Sequence, residues 1–390
     1  MYAVAIYGEA EFWLTSGKVL LLSILLCFTF ITMVGGNPQG KAYGFRYWSD
    51  PGAFAEFSST GSVGQFEGFL SALWFASFTC VGPEFVGMIS AEAKHPRTYV
   101  RTAYKVVYAR IVVFFVGSAL AVGILVPYND PVLNAVYRDG VGESGSAAAS
   151  PWIIAMKNMN VEVLPHIITA LLATTIFSAG NTYVFCATRS LFGLALEGRA
   201  PKVLRKCSKN GVPIYCFAVV MLFPFLSFLQ LSSSSAKVLT WLLNVATGAT
   251  LIDYIVICTT YICFYRACQA QGFDRSKLPY RGYFQPYCAY IGLAVELLII
   301  LCYGYKSLRP FDPSAFITAY AMPIIIPILF ASWKLAKRTK WLKPEEVDLI
   351  WEAPQITAYE RALDERPIGF WEDCYRFFTG KSRKTEMPEV

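Results

Sequence analysis

The chain has 390 residues, of which 55% are hydrophobic, 16% aromatic and only 16% charged, and its formal net charge is +7. Soluble domains carry about 25% charged residues. This composition therefore excludes an ordinary soluble domain and predicts an all-α polytopic membrane protein. The positive charge is small for such a length and gives no reason to invoke nucleic acid as a partner.

Eight apolar runs are long enough to cross a bilayer, which takes roughly 17 to 25 residues in a helix. The predicted spans are residues 14–34, 67–89, 106–127, 163–188, 213–231, 238–262, 287–305 and 313–333. Pro323 and Pro327 predict a kink in the eighth span, because proline cannot donate to the helical hydrogen-bond ladder.

The distribution of Lys and Arg predicts the orientation. Most basic residues of the loops fall on one side of the membrane, in the loops after spans two, four, six and eight, with Arg110 counted at the flank of span three. Short loops rich in Lys and Arg stay on the cytoplasmic side. Both termini are therefore expected in the cytoplasm.

The second predicted span contains an interruption. From Phe78 to Gly87 it reads FTCVGPEFVG, which sets Gly82, Pro83 and Glu84 inside an apolar run. In hydrocarbon, a broken helix is tolerated only where protein or a water-filled cavity satisfies the freed backbone groups, and an unpaired charge is costly. Broken helices hold substrates in secondary transporters. The pattern predicts a transport site, and the alternative is a Pro-kinked helix whose Glu84 pairs with a neighbouring helix.

Several other chemistries lack a sequence signal. The eleven cysteines include no C-x-x-C pair, and the two histidines, His95 and His166, fall at opposite predicted membrane faces. No G-x-x-x-x-G-K-[ST] loop occurs, which argues against an ATP-driven pump. We therefore expect no metal, no cofactor and no enzymatic activity.

The stretch FTCVGPEFVGMISAEAKHPR from Phe78 resembles the broken sixth helix, and the loop after it, of the fungal amino-acid permeases in the amino acid, polyamine and organocation superfamily. Further motifs match in the order that this family has. The further matches are GGNPQGKAYGFRYWSDPGAF from Gly35, VPYNDPVL from Val126, SPWIIAMKN from Ser150, VLPHIITALLATTIFSAGNTYVFCATRSLFGLALEGRAPK from Val163, NGVP from Asn210 and LPYRGYFQPY from Leu278. The resemblance predicts a permease membrane domain over residues 1–349 and a cytoplasmic tail over 350–390.

The resemblance implies a fold of twelve helices built on a LeuT-like inverted repeat. On that register the eight spans correspond to helices five to twelve, so the first four helices are absent. We expect a truncated chain, and the alternative is a partner that carries the missing half. The tail is expected to form an amphipathic helix at the membrane or to be disordered, and to be the place where regulatory partners bind.

The resemblance also assigns site residues. The predicted substrate-binding residues are Phe78, Thr79, Cys80, Val81, Gly82, Glu84, Ser178, Asn181, Asn244 and Thr247. Residues 78–82 would offer backbone groups to a zwitterion, with the start of the half-helix at Pro83 favouring its carboxylate. Ser178, Asn181, Asn244 and Thr247 have helix packing as an equally simple alternative role.

Two residues are candidates for proton coupling, Glu84 and Lys18. Glu84 would pair with the substrate ammonium or carry the proton, unless it is only a buried carboxyl held by helix contacts. The resemblance places Lys18 at a lysine that some relatives protonate, and its alternative role is snorkelling to the headgroups.

The function implied is secondary active transport of amino acids, as proton-coupled import by alternating access at the plasma membrane. The expected partners are an amino-acid substrate, protons and the lipid bilayer. Two alternatives stay open, a non-transporting amino-acid sensor on the same scaffold and a non-functional fragment.

Overall fold

The computed structural model describes residues 4–57, 59–79, 82–90, 93–137, 150–231, 236–308 and 311–363. Within these ranges the chain is helical, and its only extended pairing is an isolated bridge between Leu308 and Phe311. Six helical segments are long and apolar enough to cross a membrane, namely Tyr7–Met33, Pro96–Leu125, Leu164–Leu196, Trp241–Ala270, Tyr287–Tyr305 and Pro313–Lys337. The predicted class, an all-α polytopic membrane protein, is confirmed.

Large apolar side chains on the outer faces of these helices are open to the surroundings. Phe30 is 65% exposed and Phe177 is 70% exposed. Water would make such exposure unfavourable, whereas lipid tails solvate these side chains. The exposed fractions therefore fit helices that face a bilayer.

The first and third spans begin earlier than predicted. Helix α1 is Val4–Met33, and the third span starts with helix α4, Pro96–Arg110. It continues through a π-helical segment, Ile111–Val116, into α5, Gly117–Leu125. The prediction counted only the apolar stretch of each span and so left out the polar first turns. A helix can include polar side chains when these have hydrogen-bond partners or lie at the membrane surface.

The second span is broken where the sequence predicted it. Helix α2, Gly61–Thr79, ends before the break, and α3, Pro83–Ile89, begins after it. Gly82 lies between them with a φ of +138°, a conformation that residues with a Cβ rarely adopt. Cys80 and Val81 lie outside the described residues.

The remaining spans follow the predicted order with one shortened element. Helix α8 is Leu164–Leu196 and α10 is Ala236–Ala270. The predicted fifth span is split into α9, Ile214–Val220, and a 3₁₀ segment, Phe223–Leu231. Pro224 in that segment has no N–H for an α-helical ladder, which accounts for the change.

The last spans are α11, Tyr287–Cys302, and α12, Pro313–Lys337. Pro323 and Pro327 both lie inside α12, which continues as one helix through them. The short helices that remain are α6, Pro131–Tyr137, α7, Pro151–Asn158, and α13, Ala353–Arg361. The rest of the predicted tail, from residue 364 onward, lies outside the described residues.

Two buried clusters organise the packing. One joins α1, α5, α7 and α8 around Leu25, Met156 and Ile168, and the other joins α2, α10 and α11 around Trp74 and Leu251. Helix α2 packs on the second group, whereas α3 packs on α4 and α8. The break in the second span is thus the point where the chain passes from one packed group to the other.

Candidate functional site

The carboxylate of Glu84 binds the backbone of the break. The backbone N–H of Gly82 donates to both carboxylate oxygens of Glu84, at 3.0 and 3.2 Å. Glu84 therefore folds back over the start of its own short helix α3. A substrate carboxylate at that helix end would be repelled by the negative charge of Glu84. Glu84 therefore competes with the substrate for the position that was predicted to bind the substrate carboxylate.

A neighbouring helix also holds Glu84. The hydroxyl of Tyr254 in α10 donates to Glu84 Oε2 at 2.9 Å. Phe85 meets Tyr183 of α8 in a T-shaped ring contact with centroids 5.4 Å apart. The contact of Glu84 with α10 fits the alternative in which Glu84 is a carboxyl held by helix contacts. It also places a titratable group where α3, α8 and α10 meet.

Arg110 lies against the same break. A Cβ built on Gly82 would come within 2.5 Å of Arg110 Nη2, so the guanidinium packs directly on the glycine backbone. By sequence alone Arg110 counts as a charge at the flank of span three. The helix extends back to Pro96, well before Arg110, and the position of Arg110 beside Gly82 could not be read from the sequence.

Of the other predicted residues of the break, Thr79 is the one whose side chain is described. Thr79 uses its hydroxyl within α2, where Oγ1 donates to the carbonyl oxygen of Phe75 at 2.8 Å. Cys80, Val81 and the side chain of Phe78 lie outside the described part of the chain. Their predicted role in offering backbone groups to a ligand stays a prediction.

A second polar cluster joins α1 to α8. Lys18 Nζ lies 3.3 Å from Glu11 Oε1, and that oxygen also accepts hydrogen bonds from Ser178 at 2.6 Å and Thr182 at 3.2 Å. Glu11 Oε2 is buried and has no hydrogen-bond partner among the described residues. Lys18 therefore pairs with Glu11 of its own helix at the contact between α1 and α8.

Glu11 was missed as a site residue because it precedes the apolar window of the first span. One signal could have found it. Glu11 and Lys18 are seven residues apart, which is two helical turns and places both on one face. Opposite charges at that spacing near the start of an apolar helix indicate a shared polar partner on the facing helix.

Replacing Ser178 with alanine is expected to lower stability without changing substrate preference. Ser178 is fully buried and donates to Glu11, so its loss leaves a buried carboxylate short of a donor, at a cost of about 1–3 kcal/mol. Thermal unfolding of the purified chain and competition by different amino acids measure the two effects. Ser23→Ala is the matched control, because Ser23 is exposed and bonds its own helix. A changed preference at unchanged stability would instead place Ser178 on the substrate.

A third group lines a separate cavity. Tyr303 donates to Asn244 Oδ1 at 2.8 Å, and the ring of Trp74 stacks on Tyr303. Asn244 and Tyr303 face a cavity of about 260 Å³ between α2, α10, α11 and α12 that is lined mostly by apolar side chains. Thr247 is buried and its hydroxyl donates to the carbonyl of Leu243 at 2.9 Å. Asn244 thus faces open space, whereas the Thr247 hydroxyl is satisfied by its own helix.

The predicted site residues therefore fall into three groups. Thr79, Gly82 and Glu84 lie at the break, Lys18 and Ser178 lie around Glu11, and Asn244 lies at the cavity. Asn181 follows Ser178 on α8 and is partly buried, with no side-chain hydrogen bond seen among the described residues. Within the same ranges no three His, Cys, Asp or Glu side chains are grouped as metal ligands would be.

Two tyrosine pairs join α4 to the loop that follows α10. Tyr280 stacks on Tyr104 with centroids 6.3 Å apart, and Tyr283 meets Tyr108 at the same distance. Burial, with the neighbouring Tyr108, raises the pKa of Tyr280 to about 12. The loop is thus held against α4, the helix that also packs on α3.

The fold and the site together define a class. A bundle of membrane-length helices with a helix interrupted beside a carboxylate has the organisation of secondary transporters. The profile of the amino acid permease family matches residues 1–345, and the chain belongs to that family. The predicted family is confirmed, and the chain is an integral membrane protein.

Three relatives come from Saccharomyces cerevisiae. The chain is 41% identical to the general amino acid permease AGP2 over 92% of its own length and 61% of the relative. It is 40% identical to the dicarboxylic amino acid permease, over 89% of the chain and 57% of the relative. Identity to the proline-specific permease is 36%, over 94% of the chain and 60% of the relative.

The chain spans about three fifths of the length of these relatives. Each relative is named as a permease, which is a class of transporter and not of enzyme. No solved structure matches the chain.

Proposed function

We propose that the chain carries out proton-coupled import of amino acids by alternating access, at the plasma membrane and with both termini in the cytoplasm. The observation that carries this proposal is the break at Gly82, where the Glu84 carboxylate lies between α3 and α10. A titratable group at an unwound segment can bind a small zwitterion and exchange a proton in the same place. The permease names of the relatives support amino acids as the substrate class.

The packing supports alternating access. Because α2 packs on α10 and α11 while α3 packs on α4 and α8, the break can act as a hinge between two groups of helices. The ring contacts of Tyr104 with Tyr280 and of Tyr108 with Tyr283 join α4 to the loop after α10, so they would form or break as the two groups move. Movement of one group of helices against the other would close the site on one side of the membrane and open it on the other.

Two places support proton coupling. Glu84 would release or take up the proton as the substrate ammonium arrives or leaves. The second place is the pair of Lys18 and Glu11 on α1, because motion of α1 against α8 would break the hydrogen bonds that Ser178 and Thr182 of α8 donate to Glu11. Glu84 is the stronger candidate because it lies at the break itself.

Uptake of radiolabelled amino acids by cells expressing the 390-residue chain tests the proposal. One proton that moves down a potential of 100 mV provides about 2.3 kcal/mol, enough for roughly fiftyfold accumulation. A protonophore is therefore expected to reduce accumulation to equilibrium. Accumulation that survives the protonophore would contradict proton coupling. Specific binding without any uptake would instead favour a sensor.

A further inference from the structure

Arg110 occupies an unusual place for a cation. The third span runs over Pro96–Leu125 without interruption by a loop, and Arg110 is the last residue of α4, halfway along this span. The first half of the helix is basic, whereas residues 111–125 carry no charge, so Arg110 is the last charged side chain before the apolar part of the span. A charged side chain next to such a stretch is costly in hydrocarbon and as a rule marks a binding site or an ion pair.

No ion pair accounts for it among the described residues. The salt bridges of these residues do not include Arg110, and its Nε atom is buried without a hydrogen-bond partner. The nearest ring contact places the guanidinium carbon 6.0 Å from the centre of the Phe115 ring, at the outer limit of a cation–π contact. The guanidinium therefore keeps donor capacity that the described structure does not use.

The helix is irregular at this point. The π-helical segment Ile111–Val116 begins directly after Arg110. A π segment shifts the hydrogen-bond ladder, widens the helix, and occurs frequently at functional sites. This irregularity is independent of the charge, and it fixes where the Arg110 side chain leaves the helix.

The guanidinium faces the break in α2 and α3. Its Nη2 atom packs on Gly82, the same glycine whose N–H donates to Glu84. An anion and a cation thus flank one glycine, with the anion also held by Tyr254. An α-amino acid carries its ammonium and carboxylate on one carbon and presents the complementary pair of charges.

We propose that Arg110 binds the carboxylate of the amino-acid substrate at the break. This assignment rests on the proposed function. The start of α3 is already occupied by the Glu84 carboxylate, which would repel a second anion, whereas the planar guanidinium matches a carboxylate with two parallel hydrogen bonds. Glu84 then remains for the ammonium.

Binding to the purified 390-residue chain tests the role of Arg110. The probe is the one of the twenty amino acids that raises the unfolding temperature of the wild type most, compared with its α-carboxamide, which keeps the ammonium and side chain but has no carboxylate. We expect the wild type to prefer the acid over the amide by at least about tenfold. Arg110→Gln is expected to reduce this ratio to about one.

Two further variants separate recognition from folding. Arg110→Lys keeps the charge but not the paired donors, and is expected to retain part of the preference. Arg101→Gln is the matched control, because Arg101 lies on α4 and is exposed. It should keep the wild-type ratio. If Arg110→Gln does not fold, an undiminished preference in Arg110→Lys overturns the proposal, and a reduced one supports it.

Uptake by the same variants distinguishes the two proposals. Amino-acid binding that depends on Arg110 and on the carboxylate, without uptake, supports the role of Arg110 and contradicts transport. Uptake with a preference that survives in Arg110→Gln overturns the role of Arg110 alone. Failure of the wild type to bind any of the twenty amino acids overturns both.

Discussion

Replacing Glu84 with glutamine is expected to abolish uptake while leaving the protein folded in the membrane. Glutamine has nearly the same shape but stays neutral, so it cannot carry a proton or pair with an ammonium. Its amide nitrogen cannot accept a hydrogen bond, whereas both carboxylate oxygens of Glu84 accept from the Gly82 N–H and one also accepts from the Tyr254 hydroxyl. Uptake should fall by at least about tenfold, equivalent to ~1.4 kcal/mol or more. Initial uptake rates, normalised to surface protein, measure this effect.

The matched control is Glu296→Gln in α11. Glu296 is also an intramembrane carboxylate, and its Oε2 atom is buried without a partner among the described residues. It lies outside the break, so its neutralisation should leave uptake near the wild-type rate. Tyr254→Phe removes one donor to Glu84 and should reduce uptake only in part. If Glu84→Gln takes up amino acids at the wild-type rate, Glu84 has no part in the mechanism. If Glu296→Gln loses as much uptake as Glu84→Gln, the effect is not specific to the break.

Replacing Gly82 with alanine is expected to inactivate the site by a different route. The φ of +138° is unfavourable for any residue with a Cβ, and the new methyl group would lie 2.5 Å from Arg110 Nη2. Backbone strain of this kind costs about 1–3 kcal/mol. The guanidinium must move away, or the break must reorganise. We expect loss of uptake together with a lower unfolding temperature.

Gly180→Ala provides the matched control for this substitution. Gly180 is helical in α8, and a Cβ there meets no atom within 4 Å. Alanine in a helix interior is more stable than glycine by roughly 0.5–1 kcal/mol, so this variant should unfold at the same or a higher temperature and keep its uptake. A Gly82→Ala variant that transports at the wild-type rate would show that the backbone at the break does not have to take this conformation.

The break itself was predictable because its causes are local. A Gly-Pro-Glu sequence removes a backbone donor, permits a positive φ and adds a charge, all within three residues. The apolar runs were likewise predictable from length and composition. The starts of the helices were less predictable, since α1 and α4 begin in polar segments before the apolar windows, and the one before α1 contains Glu11.

The residues that contact the break could not be predicted from the sequence. Tyr254 is 170 residues from Glu84, and the link depends on how α10 packs against α3. Arg110 is close to Glu84 in sequence, but its contact with Gly82 depends on how α4 packs against the break. Ser178 was singled out as a ligand residue, whereas its visible partner is Glu11 on α1.

The amino-acid sequence by itself determined that the chain crosses a membrane as helices, that its second span is interrupted, and to which family it belongs. These features follow from local composition and from motifs that survive in linear order. Only the tertiary structure decided which charges meet. Glu84 with Tyr254, Glu11 with Ser178, and Arg110 beside Gly82 all depend on contacts between helices, where burial makes the cost or gain of each charge large.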